Sequence, residues 1–144
     1  MKITKFLLSF FMIASLANAA ESIKSKYDFD TTYSNVQKFL KQNNINVFAE
    51  FNHGKNAKDS GVELNATKVI VFGNPKVGTL LMQENPEIAI ELPLRISVWE
   101  DDNKNVYISH TDIKNLAKKY KIKNNKVVEN MDKLLQKIID SSAK

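Results

Sequence analysis

His53 and His110 are the only imidazoles in this 144-residue chain, and it has no cysteine. Proton transfer near neutral pH by an unperturbed side chain is therefore confined to two positions. His53 has Glu50 three residues before it, and a carboxylate beside an imidazole could serve as a general base or a metal ligand. In a strand, residues three apart point to opposite faces, so Glu50 meets His53 only if the chain turns between them. A hydrogen-bonded loop histidine is the competing structural role. His110 with Glu100 or Asp112 could join His53 in a facial metal triad. No H-x-x-H or H-E-x-x-H spacing exists, so tertiary contact alone could assemble one, and no metal is expected. Glu100 and Asp101 are adjacent, which puts them on opposite faces of a strand. Glu100 is the carboxylate that could orient His53.

Gly73-Asn74-Pro75-Lys76, followed by Gly78-Thr79, has the outline of an anion cradle. Glycines let backbone N–H groups approach a ligand, and a helix N-terminus favours negative charge. Pro75 removes one donor, and the G-x-x-x-x-G-K-[ST] pattern is missing, so nucleotide-type phosphate binding is not expected. Asn74 can equally cap a helix that opens at Pro75, and Thr79 shares that ambiguity. No serine stands in a G-x-S-x-G frame, and the lack of cysteine removes thiol catalysis and thiolate metal sites. Three of the four glycines and all three prolines lie between Gly61 and Pro93. One irregular connection is implied, and binding residues tend to sit in such connections.

Regular elements must hold these residues. Ile23–Tyr27 alternates apolar and polar residues as a first strand, and Asp28 or Asp30 then caps a helix with Tyr33, Val36, Phe39 and Leu40 on one face. Residues 45–51 alternate as a half-buried strand, and 52–61 form a polar connection with one helical turn around Ala57. Thr67–Phe72 is β-branched and uncharged enough to be central. Val77, Leu80 and Leu81 share helical spacing, and Pro86 opens a short helical piece, Glu87–Glu91. Leu94–Glu100 and Asn105–Ser109 are strands joined by the turn-forming Asp101-Asp102-Asn103-Lys104. Thr111 or Asp112 caps a further helix, and the three- and four-residue recurrence from Val127 to Ile139 gives the last one. The reading is a single α+β domain, largely antiparallel sheet packed by helices, in the order β-α-β-(short helix)-β-α-β-β-α-α.

The ends set the compartment. A basic start, an apolar run from Phe6 to Leu16 and the A-x-A site Ala17-Asn18-Ala19 read as a signal peptide over residues 1–19, cut after Ala19 or one residue later. The apolar run is far shorter than the ~20 residues a bilayer span requires. A periplasmic protein without stable membrane insertion is expected. The formal charge of +5 is carried largely by the lysine-rich segment after Ile113, which reads as a solvated helix face and not as a nucleic-acid surface.

An ordered set of residues carries a resemblance: Phe48, His53, Gly61, then Phe72-Gly73-Asn74-Pro75, Gly78-Thr79, Leu81-Met82, Leu92-Pro93-Leu94 and Trp99-Glu100-Asp101. It resembles the bacterial domain-of-unknown-function family 302. The resemblance implies a compact α/β domain over 23–112, with 113–144 as a lysine-rich helical extension, and it implies a homodimer. It carries no reaction and no cofactor. Asn52-His53 departs from the Asp-His of many members, which weakens an Asp-assisted histidine. Three functions fit the sequence. The first is a non-catalytic accessory domain holding a small polar or anionic ligand, or a partner, between His53 and the Asn74–Thr79 turn. The second is a small enzyme with His53 as acid–base, Glu100 orienting it and Asn74 or Thr79 stabilising charge. The third is a structural homodimer.

Overall fold

The computed structural model describes residues 20–144, so the leader expected over residues 1–19 lies outside them. The elements are β1 (Ala20–Lys24), α1 (Phe29–Gln42), β2 (Asn46–Asn52), α2 (His53–Asp59), β3 (Thr67–Gly73) and α3 (Pro75–Glu84). A 3-10 segment (Pro86–Glu91), β4 (Leu94–Glu100), β5 (Val106–Thr111), α4 (Ile113–Lys119) and α5 (Asn125–Ala143) complete the chain. The strands form one sheet in the order β1-β5-β4-β3-β2, with every neighbouring pair antiparallel. The α+β order matches the one read from periodicity.

Alternation decides which sheet face is covered. Ile70 and Phe72 of β3, Ile96 and Val98 of β4, and Ile108 of β5 are all fully buried on one side. Helices α1 and α5 pack against each other and against this face. Their own stripes are buried there, Val36 and Leu40 from α1 with Leu135, Ile138 and Ile139 from α5. The other sheet face carries Trp99 stacked on Tyr107, ring centroids 4.6 Å apart, with Trp99 Nε1 donating to Ser109 Oγ at 2.8 Å.

Each α-helix begins at an Asp or Asn whose side chain accepts a backbone N–H of the first turn. Asp28 takes Thr31 N at 2.7 Å, Asn52 takes Lys55 N at 2.9 Å, Asn74 takes Lys76 N at 2.9 Å and Asp112 takes Asn115 N at 2.9 Å. Asn124 does the same for Val127 N at 3.3 Å. Such caps satisfy donors that the helix itself leaves free.

Several boundaries differ from those the sequence suggests; β5 runs Val106–Thr111 and not Asn105–Ser109, which puts His110 in the strand. The first strand is Ala20–Lys24 and not Ile23–Tyr27. Ser25 leaves the strand because its hydroxyl pairs with Thr32 Oγ1 at 2.7 Å and accepts Tyr27 N at 3.1 Å, turning the chain into the Asp28 cap. His53 opens α2 and does not sit in a loop, since Asn52 caps a helix there. The lysine-rich segment after Ile113 supplies α4 and α5, which complete the same core. Carboxylates of the irregular block fasten it to that segment. Glu84 accepts Lys123 N at 2.6 Å and Asn124 N at 3.0 Å, while Glu91 accepts Lys119 Nζ at 3.0 Å and the Tyr120 hydroxyl at 2.8 Å.

These contacts give the fold a pH signature. Backbone and side-chain donation from Thr31 lowers the Asp28 carboxyl, Lys119 and Tyr120 lower Glu91, and Asn105 lowers Asp101. A carboxyl depressed in the folded state contributes stability that is complete above its unfolded value, about 4, and lost as pH falls through the lower folded value. Urea melts should therefore hold a constant midpoint from pH 7 down to about 5 and lose it below about 4. Glu91→Gln should reduce that acid loss. An acid limb identical in the variant would remove Glu91 from this account.

Candidate functional site

The irregular block closes one wall of an apolar cavity of about 250 Å³. Its floor is Leu94 of β4 and Met131 of α5, 4% and 6% exposed. Half-buried Val77, Gly78 and Met82 of α3, with Leu92 and Leu134, form the sides. Exposed Phe48, Asn74, Pro75, Ala89 and Pro93 form the rim. Asn74 is the one lining residue with a polar side chain, and its carbonyl oxygen is committed to the α3 cap. The Leu92–Pro93 peptide at the rim is cis.

Local backbone geometry shapes the cavity. At the end of β3, Gly73 has φ +156°, where a side chain is strained, and a Cβ there would stand 3.8 Å from both Phe48 Cε2 and Pro93 Cβ. A β-bulge between Val47 and Ala49 sets Phe48 out of register beside it. Gly78 sits in the interior of α3, where glycine costs roughly 0.5–1 kcal/mol against alanine. Its Cβ would meet Leu92 Cδ1 at 3.7 Å and Met82 Cε at 4.0 Å, both ordinary contacts. No clash therefore demands glycine at this helical position. What its missing side chain provides is space in the cavity.

The residues singled out from sequence are distributed differently. Asn46 pairs with Gly73 and Asn52 with Lys68, so Asn74 and His53 lie at opposite ends of the β2–β3 ladder. Six strand residues separate those ends by about 20 Å at ~3.3 Å per residue. His53 is exposed and stacked on Phe51, ring centroids 6.3 Å apart. Glu50 turns away from it, accepting the Tyr33 hydroxyl at 2.6 Å and Gln37 Nε2 at 2.9 Å. Glu100 lies at the His53 end of the sheet but follows buried Val98 on the helix-covered face, and it pairs with Lys104 at 3.1 Å. Thr79 Oγ1 donates back to Pro75 O at 2.8 Å and stays outside the cavity lining. His110 is buried, with Nδ1 3.1 Å from Thr111 O and Nε2 3.5 Å from Glu21 Oε2. Among the described residues, no three His, Asp or Glu side chains converge on a metal-sized point. Sequence reasoning thus found the rim at Asn74 and the glycine at Gly78, which it read as an anion cradle, and missed the apolar lining of Met82, Met131 and Leu134. The one available signal was an isolated glycine inside a helical pattern, which asks for a packing or functional reason.

The family described as "Domain of unknown function DUF302" matches residues 21–138, which runs from β1 through most of α5. The chain belongs to this family. A solved structure of an uncharacterized conserved DUF302 protein from Bacillus stearothermophilus superposes with a TM-score of 0.75, covering 88% of this chain and 99% of that one. At 16% identity this likeness speaks to the fold alone. Two curated relatives are 32% identical over 111 residues: "Fluoride-specific ion channel FluC 1" of Brucella suis, and the protein of the same name from Brucella abortus. The aligned stretch is 77% of this chain but 44% and 41% of those proteins, so the chain spans less than half their length. No helix among the described residues is long and apolar enough to cross a membrane. In this DUF302 domain, most of the cavity lining comes from the ordered set of residues on which the resemblance was read from sequence.

Proposed function

We propose that this DUF302 domain is an exported, non-catalytic accessory protein that holds a small apolar ligand in the cavity beneath α3. The observation that carries the reading is Gly78, a helix-interior glycine on the cavity wall where a Cβ would fit at ordinary contact distance from Leu92 and Met82. The lining shifts the ligand class from the polar or anionic one expected from sequence to an apolar one. Apolar cavities of about 150 Å³ stay dry and accept benzene, so about 250 Å³ suits a bicyclic ring or a short acyl chain. Two methionines in the wall add adaptable, polarizable contact for a ligand of no fixed shape. Binding is favoured over catalysis because His53, Glu100 and Asn74 stand in three separate places. The Brucella proteins support an accessory role, since there the related stretch is under half of a longer chain. Export rests on the leader, and cleavage after Ala19 would leave Ala20, the first residue of β1, as the new terminus.

The test uses N-phenyl-1-naphthylamine, an uncharged fluorophore, and protein recovered from the periplasmic fraction. Saturable one-to-one fluorescence enhancement is expected, and native mass spectrometry should show a chain starting at Ala20 or Glu21 with a small hydrophobic molecule released on denaturation. Absence of both dye binding and any retained molecule would sink the ligand-binding reading.

A further inference from the structure

A second depression, a cleft of about 380 Å³ between α1 and the β2 edge of the sheet, has different chemistry. Glu50 pairs in register with Ile70 and Asn52 with Lys68, so Glu50 and Lys68 are diagonal neighbours on the helix-covered side. Such neighbours stand roughly 7–8 Å apart. Tyr33, only 6% exposed, donates its hydroxyl to Glu50 Oε2 at 2.6 Å, and Gln37 Nε2 donates to the same oxygen at 2.9 Å. Burial first, and then the Glu50 carboxylate, push the Tyr33 phenol well above its ordinary value, so it remains a donor. Glu50 is thereby fixed in place through one oxygen. Its Oε1 takes no hydrogen bond from the described residues.

Lys68 presents the complementary charge. Its ammonium lies over the Tyr33 ring at 4.7 Å and the Phe29 ring at 5.3 Å. The carboxylate paired with it is Asp30, 3.9 Å away and 92% exposed. Tying α1 to β2 explains why Tyr33 reaches Glu50. It does not explain a partly buried ammonium held apart from that carboxylate. A simple anion in the cleft would meet Lys68 but also Glu50 and Asp30, and a simple cation would meet Lys68 as a repulsion. A ligand bearing both charges a few ångströms apart satisfies both sides.

We propose that this cleft binds a free α-amino acid, with its ammonium on Glu50 Oε1 and its carboxylate on Lys68. The site is separate from the apolar cavity, and either can stand without the other.

Titration of the purified protein with L-leucine, followed by ¹H–¹⁵N correlation spectra, tests it. Saturable shifts are expected at Glu50, Phe51, Asn52 and Lys68. Acetate alone and methylammonium alone should bind at least tenfold more weakly than L-leucine. Lys68→Met and Glu50→Gln should each weaken L-leucine binding at least tenfold, with the circular dichroism spectrum unchanged. Acetate binding as tightly as L-leucine would make this a plain anion site and overturn the proposal. So would L-leucine shifts that survive in a folded Lys68→Met protein, or no shift with L-leucine or any other protein amino acid.

Discussion

Leu135→Ala is expected to lower the unfolding free energy by about 3 kcal/mol, the middle of the range for emptying a fully buried leucine site. Leu135 lies in the middle of α5 and is 0% exposed, within the core that α5 shares with α1 and the sheet. The loss combines the transfer of its apolar atoms with the cavity left behind, because close-packed neighbours relax only partly. For a domain of this size the melting temperature should fall by roughly 10–15 °C. The transition should remain single, because α5 completes the core and is not an appendage to it. Ile90→Ser, at a side chain 75% exposed, should stay within about 0.5 kcal/mol and serves as the control. A Leu135→Ala protein that melts in two steps, with the sheet signal unmoved in the first, would show that α5 folds apart from the rest.

Substitutions at Gly78 should separate stability from binding with opposite signs. Gly78→Ala removes the cost of a helix-interior glycine and should stabilise the protein by roughly 0.5–1 kcal/mol. The new methyl group would rest at ordinary contact distance from Leu92 and Met82. Gly78→Leu extends the side chain into the cavity and should weaken N-phenyl-1-naphthylamine binding at least tenfold, with melting unchanged or raised. A glycine kept only for close packing would behave in reverse: alanine would destabilise, and dye binding would follow stability. Dye affinity that is indifferent to Gly78→Leu in a folded protein would place the ligand elsewhere.

The secondary structure was legible because its signals are local. Asp28, Asn74 and Asp112 each act as caps within three residues of their own position. The strand alternation at Ile70/Phe72 and Ile96/Val98 follows from a two-residue period that no distant contact alters. The first strand was misplaced because Ser25 stands in phase with Ile23 and Tyr27 and is small enough to pass for an inward position of the alternation. Its bond to Thr32, which ends the strand, depends on a helix seven residues away.

The site was less legible for the same physical reason. Proton-transfer chemistry suggested joining His53, Glu100 and Asn74, but register controls their separation. Antiparallel pairing of β2 with β3 sends the two ends of each strand in opposite directions, which carries Asn74 away from His53. The cavity depends on residues from β2, α3, the 3-10 segment, β4 and α5, and each of them reads as ordinary core or surface when taken alone. By itself the sequence determined the element order, most of the helix starts, the family and the irregular block from Gly61 to Pro93, since all of these are written in short-range spacing. The tertiary structure decided that the block encloses apolar space and that Glu50 belongs to Tyr33 and not to His53. Those outcomes arise from contacts between segments far apart in the chain, and no local spacing records them.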